Sequence, residues 1–123
     1  MKIAKFIICL LFGLMFINAG LNKFFMYIPV PEMPEELRKV NDAFGTIKWL
    51  MPLIATVEIV GGLLFILPKT RALGAIVILP VMVGILLQHS FYAPEGLIMA
   101  IILFLINIWI IIDNRQRYKN LIN

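Results

Sequence analysis

The sequence has one cysteine, Cys9, and one histidine, His89, in 123 residues. A single thiol excludes an internal dithiol–disulfide cycle, and there is no CxxC. Metal centres need three or four donors, so one His and one Cys supply none. Electron carriers are missing as well. The chain has no Rossmann glycine pattern, no haem-ligand pair and no cluster-binding cysteines. Charge is scarce: 15% of residues are charged, where a soluble domain carries about a quarter. No Lys/Arg stripe interleaved with aromatics marks a nucleic-acid surface.

Apolar residues fill the space that charge leaves, at 62% of the chain with a mean hydropathy of +0.98. A core of this length in water would leave much of that surface exposed, whereas lipid solvates it. The composition therefore reads as a membrane protein with one compact domain, residues 1–123. The net charge of +4 suits orientation against anionic lipid.

Windows of about twenty apolar residues predict four spans, at residues 3–25, 49–67, 72–92 and 97–112. The expected fold is all-α, a polytopic four-helix membrane bundle. Pro94 suits the first turn before the fourth span, Pro68 closes the second, and Pro80 interrupts the third. A Pro80 kink reads equally as a cavity wall and as a packing bend. One side of the membrane collects Lys2, Lys5, Lys69, Arg71, Arg115, Arg117 and Lys119. The other has Lys23, Arg38, Lys39 and Lys48, beside five acids. Seven against four puts both termini in the cytoplasm. The start resembles a signal peptide, but its apolar run continues past "NAG" into "LNKFF", so we read an uncleaved first helix.

The loop at 26–48 is too polar to cross. Pro29, Pro31 and Pro34 predict an extended first part. After it, Leu37, Val40, Phe44 and Ile47 recur at helical spacing behind Glu35 and Glu36. A short amphipathic helix follows in this first outer loop, with Trp49 and Tyr27 at headgroup level. It reads as a cap on the bundle's mouth or as a plain connector.

Polar residues inside the spans are the candidate site. Counted from the outer helix ends, Asn18 lies ~10 Å deep, Glu58 ~12 Å and Asn107 ~15 Å. Nearer the outer end come Asn22, Lys23, Gln88 and His89. Gly61 and Gly62 follow Glu58 by a turn, which lets a helix or a ligand approach closely. An ionised glutamate facing lipid costs several kcal/mol, so Glu58 must face inward, protonated or paired. Two states are expected. Either Asn18 and Asn107 hold a neutral Glu58, or a carboxylate joins Lys23 or His89, directly or through water. Glu58, His89 and Lys23 are thus the candidate proton-handling groups. Asn18, Asn22, Glu58, Gly61, Gly62, Gln88, His89 and Asn107 are the candidate ligand contacts. Helix glue is the competing reading, strongest for the asparagines.

These residues sit in a wider pattern. "FGLMFINAGLNKFF", "PVPEMP", "LMPLIATVEIVGGLLFIL", "LPVMVGILLQHSFYAPEG" and "LFLINIWIIIDNRQRYKNLI" occur in that order over nearly the whole chain. The chain resembles the DoxX family of small four-helix membrane proteins. The resemblance implies a bacterial cytoplasmic (inner) membrane location. It also implies association with redox systems, as a membrane subunit of thiosulfate:quinone oxidoreductase, in maturation of a disulfide-rich dehydrogenase, or in oxidative-stress complexes. Lys23, Glu58 and His89 carry its polar signature, with Asn18 and Asn107 as partners.

The expectation that follows is a membrane subunit or partner of a redox or stress system that interacts with quinone. It would have no intrinsic cofactor, so a partner protein would supply electrons. Whether it is itself an enzyme stays open, as does a homo-oligomer. The alternatives are a binder or transporter of a small apolar molecule and a non-catalytic membrane scaffold.

Overall fold

The computed structural model describes residues 2–29 and 32–122, so Pro31 of the expected extended segment lies outside the described residues. The described chain is helical, without strands. Its helices are α1 (Lys2–Phe25), α2 (Glu35–Thr46), α3 (Leu50–Ile66), α4 (Arg71–Phe91), α5 (Leu97–Asp113) and a short α6 (Lys119–Ile122). A 3₁₀ turn, Pro94–Gly96, leads into α5 with its proline at the first position. α3 stops at Ile66 because Pro68 drives Leu67 into an extended conformation, φ −83° and ψ 127°. α4 continues through Pro80 as one helix.

α1, α4 and α5 with its leading turn are long and apolar enough to cross a membrane. α3 is 17 residues and meets α2 at 92°. At ~1.5 Å per residue, α3 is about 25 Å long, close to a bilayer's hydrocarbon thickness. The outer faces are apolar too, with Leu11, Leu63 and Ile98 among many exposed hydrophobics. In water such a surface would aggregate; in lipid it is solvated.

The backbones approach closely between α1 and α3, α3 and α4, and α4 and α5. Small residues set the first two approaches. A Cβ on Gly13 would sit 2.6 Å from the Gly62 carbonyl oxygen, and one on Gly62 equally close to that of Gly13. One turn pair higher, a Cβ on Gly20 would sit 2.6 Å from the Ala55 carbonyl oxygen. On the other side of α3, Gly61 packs on Ile78, and Gly74 of α4 packs on the backbone of Leu64 and Phe65. α3 is thus clamped between α1 and α4 by van der Waals contact, which replaces hydrophobic driving force inside lipid. Larger side chains fill the centre. Phe12 stacks on Phe65 at 4.3 Å between ring centroids, and Phe16, Ile78, Met82 and Ile110 complete the core. A Lys5–Asp113 ion pair ties the start of α1 to the end of α5.

The chain reverses just after α1. Met26 adopts φ 51°, the left-handed conformation common after helix ends but costly for a side chain with a Cβ. The reversal lets the Ile28 N–H donate to Asn22 Oδ1 at 2.8 Å and the Tyr27 hydroxyl donate to the Asn18 carbonyl at 2.9 Å. Tyr27 therefore lies back along α1, with its hydroxyl at Asn18, two turns before the end of that helix.

Candidate functional site

Above the Gly61–Ile78 contact, α3 and α4 enclose a cleft of about 690 Å³. This is within the usual range for small-molecule sites. Pro80 lies on its α4 wall, at the level where the close helix contact ends. Across the top lies α2, whose Asn41 and Phe44 line the cleft. The amphipathic helix is thus a cover, with Phe44 of its apolar stripe against the cleft.

Lys23, Glu58, Gln88 and His89 join Asn41 in supplying the cleft's polar groups. Glu58 is 2% exposed. Lys23 Nζ lies 2.6 Å from Glu58 Oε1, so the two form an ion pair in the cleft wall. The reach follows from helix register. Gly20 faces Ala55, Lys23 stands one turn above and Glu58 one turn below, ~9 Å apart along the axis. Two extended side chains span that distance. Of the two states expected for Glu58, the structure contains the lysine-paired one.

His89 donates from Nδ1 to the Ile85 carbonyl at 2.9 Å, since a carbonyl can only accept. Nε2 is then the ring atom left for a ligand or a proton. Gly96 packs against that side of the ring, and a Cβ there would come within 2.6 Å of Nε2. The turn after α4 thereby fixes where the imidazole can stand.

The other candidate residues lie elsewhere. Asn18 is exposed on α1 and accepts from Tyr27 rather than meeting Glu58. Asn22 accepts from Ile28 and shapes the chain reversal. Gly61 and Gly62 contact helices, α4 and α1 respectively. Asn107 is fully buried, and among the described residues neither of its side-chain polar atoms has a partner. The expected amide cradle around Glu58 is therefore replaced by Lys23, because depth along a helix does not determine which way a side chain faces. Phe44 was legible as part of an apolar stripe, but Asn41 and Gly84, which also line the cleft, carried no signal of their own.

The family model for DoxX matches residues 4–112. The chain belongs to the DoxX family. No curated protein and no solved structure matches it. The matched region includes α1 to α5 up to Ile112, so this DoxX protein carries the cleft and its ion pair inside the family domain, and it is a membrane protein.

Chemically, the cleft of this DoxX protein offers a proton-bearing ammonium, a carboxylate and an imidazole within an apolar wall. Such a set can hydrogen-bond a carbonyl or phenolic oxygen and exchange a proton with it. The apolar lining accepts a ring or chain.

Proposed function

We propose that this DoxX protein binds a quinone in the cleft and manages protons there, as the membrane subunit of a redox system whose electrons come from a partner. The Lys23–Glu58 ion pair in the wall of an otherwise apolar cleft carries the reading. A quinone that takes up two electrons must also take up two protons, and Lys23, Glu58 and His89 are the titratable side chains among the lining residues described. Lys23 would donate to a quinone oxygen, and Glu58 would hold or relay the proton.

The experiment compares wild type with Glu58→Gln in mild detergent, titrating each with quinone and following tryptophan fluorescence. Saturable wild-type binding, weakened at least tenfold in the variant, about 1.4 kcal/mol, is the expected result. No saturable binding in wild type ends the quinone reading.

The same proposal places the protein in a bacterial cytoplasmic membrane with α2 on the outer side, supported by the seven cations at the end bearing both termini. An impermeant maleimide should leave Asn120→Cys unlabelled in intact cells; labelling from outside would invert the topology.

A further inference from the structure

Two pairs of residues line the cleft one step around each helix from its inward side. On α3, Leu53 and Val57 form a stripe next to Ile54 and Glu58. On α4, Pro80 and Gly84 form a stripe next to Val81 and Ile85. Of these four, Leu53, Pro80 and Gly84 are exposed on the bundle's outer surface, whereas Glu58 is buried. The cleft therefore opens sideways, through an apolar gap between α3 and α4. Gly84 is the part of the rim with no side chain, and nothing lies within 4 Å of where its Cβ would be. Every other glycine within the apolar helices has its Cβ position blocked by a neighbouring helix, so close packing does not explain this one. In the middle of a helix, glycine costs about 1 kcal/mol relative to alanine.

Upward, the route is covered by α2, with Phe44 and Asn41 against the cleft. Downward, Gly61 and Ile78 close it. The direction left for a long ligand is outward, between Leu53 and Gly84, into the acyl chains of the bilayer.

We propose that the gap at Gly84 is a side portal that admits the ligand from the bilayer and carries its long apolar tail, so the natural ligand is a single-tailed amphiphile with its polar head at Lys23 and Glu58. This rests on the quinone reading and names the quinone's class, one bearing a long polyisoprenoid chain. The head is fixed by the ion pair and His89, and the tail leaves past Leu53, Pro80 and Gly84. Moving such a tail from lipid to this gap buries no surface away from water, so the tail adds little affinity of its own. The gap instead leaves the bound tail room, so filling that space is what an affinity measurement can detect.

The test uses full-length protein in lipid nanodiscs, with two quinones of one ring structure, one carrying a long polyisoprenoid tail and one a methyl group. Wild type should bind both. Gly84→Phe places a ring in the gap and should weaken the tailed quinone at least tenfold while leaving the methyl quinone within twofold. Leu53→Trp narrows the opposite rim and should act in the same direction. Leu73→Phe, on the exposed face of α4 outside the cleft, should change neither and checks that an added ring on this helix is tolerated. Equal weakening of both quinones by Gly84→Phe, or no weakening of either by both rim variants, overturns the portal while leaving quinone binding intact. Failure of wild type to bind either quinone overturns the underlying reading instead.

Discussion

Lys23→Met should destabilise the protein by about 3 kcal/mol, well beyond the effect of Glu58→Gln. The carboxylate of Glu58 is 3% exposed and lies 2.6 Å from its cation, so removing that cation leaves a buried charge without compensation. Breaking a buried pair from one side costs about 3–5 kcal/mol, and the lower end applies here because the Lys23 side chain is 25% exposed and part of the pair's field already reaches outside. Methionine keeps the apolar stem, so lost packing contributes little. The reverse truncation is milder. When Glu58 becomes Gln, the Lys23 chain can swing toward the nearby end of α1 and regain polar surroundings, as lysines near membrane-helix ends do. Restoring balance should restore stability, so Lys23→Met combined with Glu58→Gln should recover most of the loss. Thermal unfolding in one detergent, measured across wild type, both single variants and the double, reads the coupling directly. Equal melting temperatures for Lys23→Met and wild type would remove the ion pair from any account of this fold.

The long helices were legible because lipid imposes a length and a composition on anything that crosses it. The site was only half legible, and helix geometry explains which half. Ala19 and Lys23 line the cleft, whereas Asn18 and Asn22, one position earlier in each case, stand a step of about 100° away and serve the reversal after α1. Counting residues from the helix ends puts Asn18, Glu58 and Asn107 in one layer but says nothing of azimuth. Gly61 and Gly62 show the same effect in one helix: adjacent residues face α4 and α1 because α3 runs between them. Contacts distant in sequence were beyond reach for a different reason. That Asn41 of α2 shares a cleft with Gln88 of α4 depends on a 92° turn between α2 and α3, and neither residue's local pattern encodes it.

At the opposite end, Arg71→Ala should cost about 3 kcal/mol or more without touching the cleft. Arg71 opens α4, where the helix dipole disfavours a cation by about 0.3–1 kcal/mol. Its guanidinium instead reaches across the Leu67–Pro68 turn, donating from Nε to the Phe65 carbonyl at 3.0 Å and from Nη2 to the Ile66 carbonyl at 2.9 Å. These are last-turn carbonyls of α3 with no helical partner, at a negative dipole end, and Arg71 is only 6% exposed. Two charge-assisted bonds at about 1.5–3 kcal/mol each outweigh the dipole penalty. Neighbours finish the same surface. Thr70 Oγ1 donates to the Leu64 carbonyl at 2.8 Å, Arg117 to that of Pro68 at 2.9 Å, and the Tyr118 hydroxyl to that of Ala72 at 2.7 Å. Burial pushes the Tyr118 phenol above its ordinary value, opposed by Arg117, so it remains a donor through neutral pH. Arg71→Lys keeps the charge but loses the planar fork, so one of the two carbonyls goes unserved and about half the penalty is expected. Exposed Lys69→Ala is the control, expected within about 0.5 kcal/mol of wild type. If Arg71→Ala melts with that control, the carbonyls of α3 are satisfied without the guanidinium. If it melts early yet its folded fraction still binds quinone like wild type, the two ends of the bundle do separate jobs: one holds the turn between α3 and α4, and the other holds the ligand.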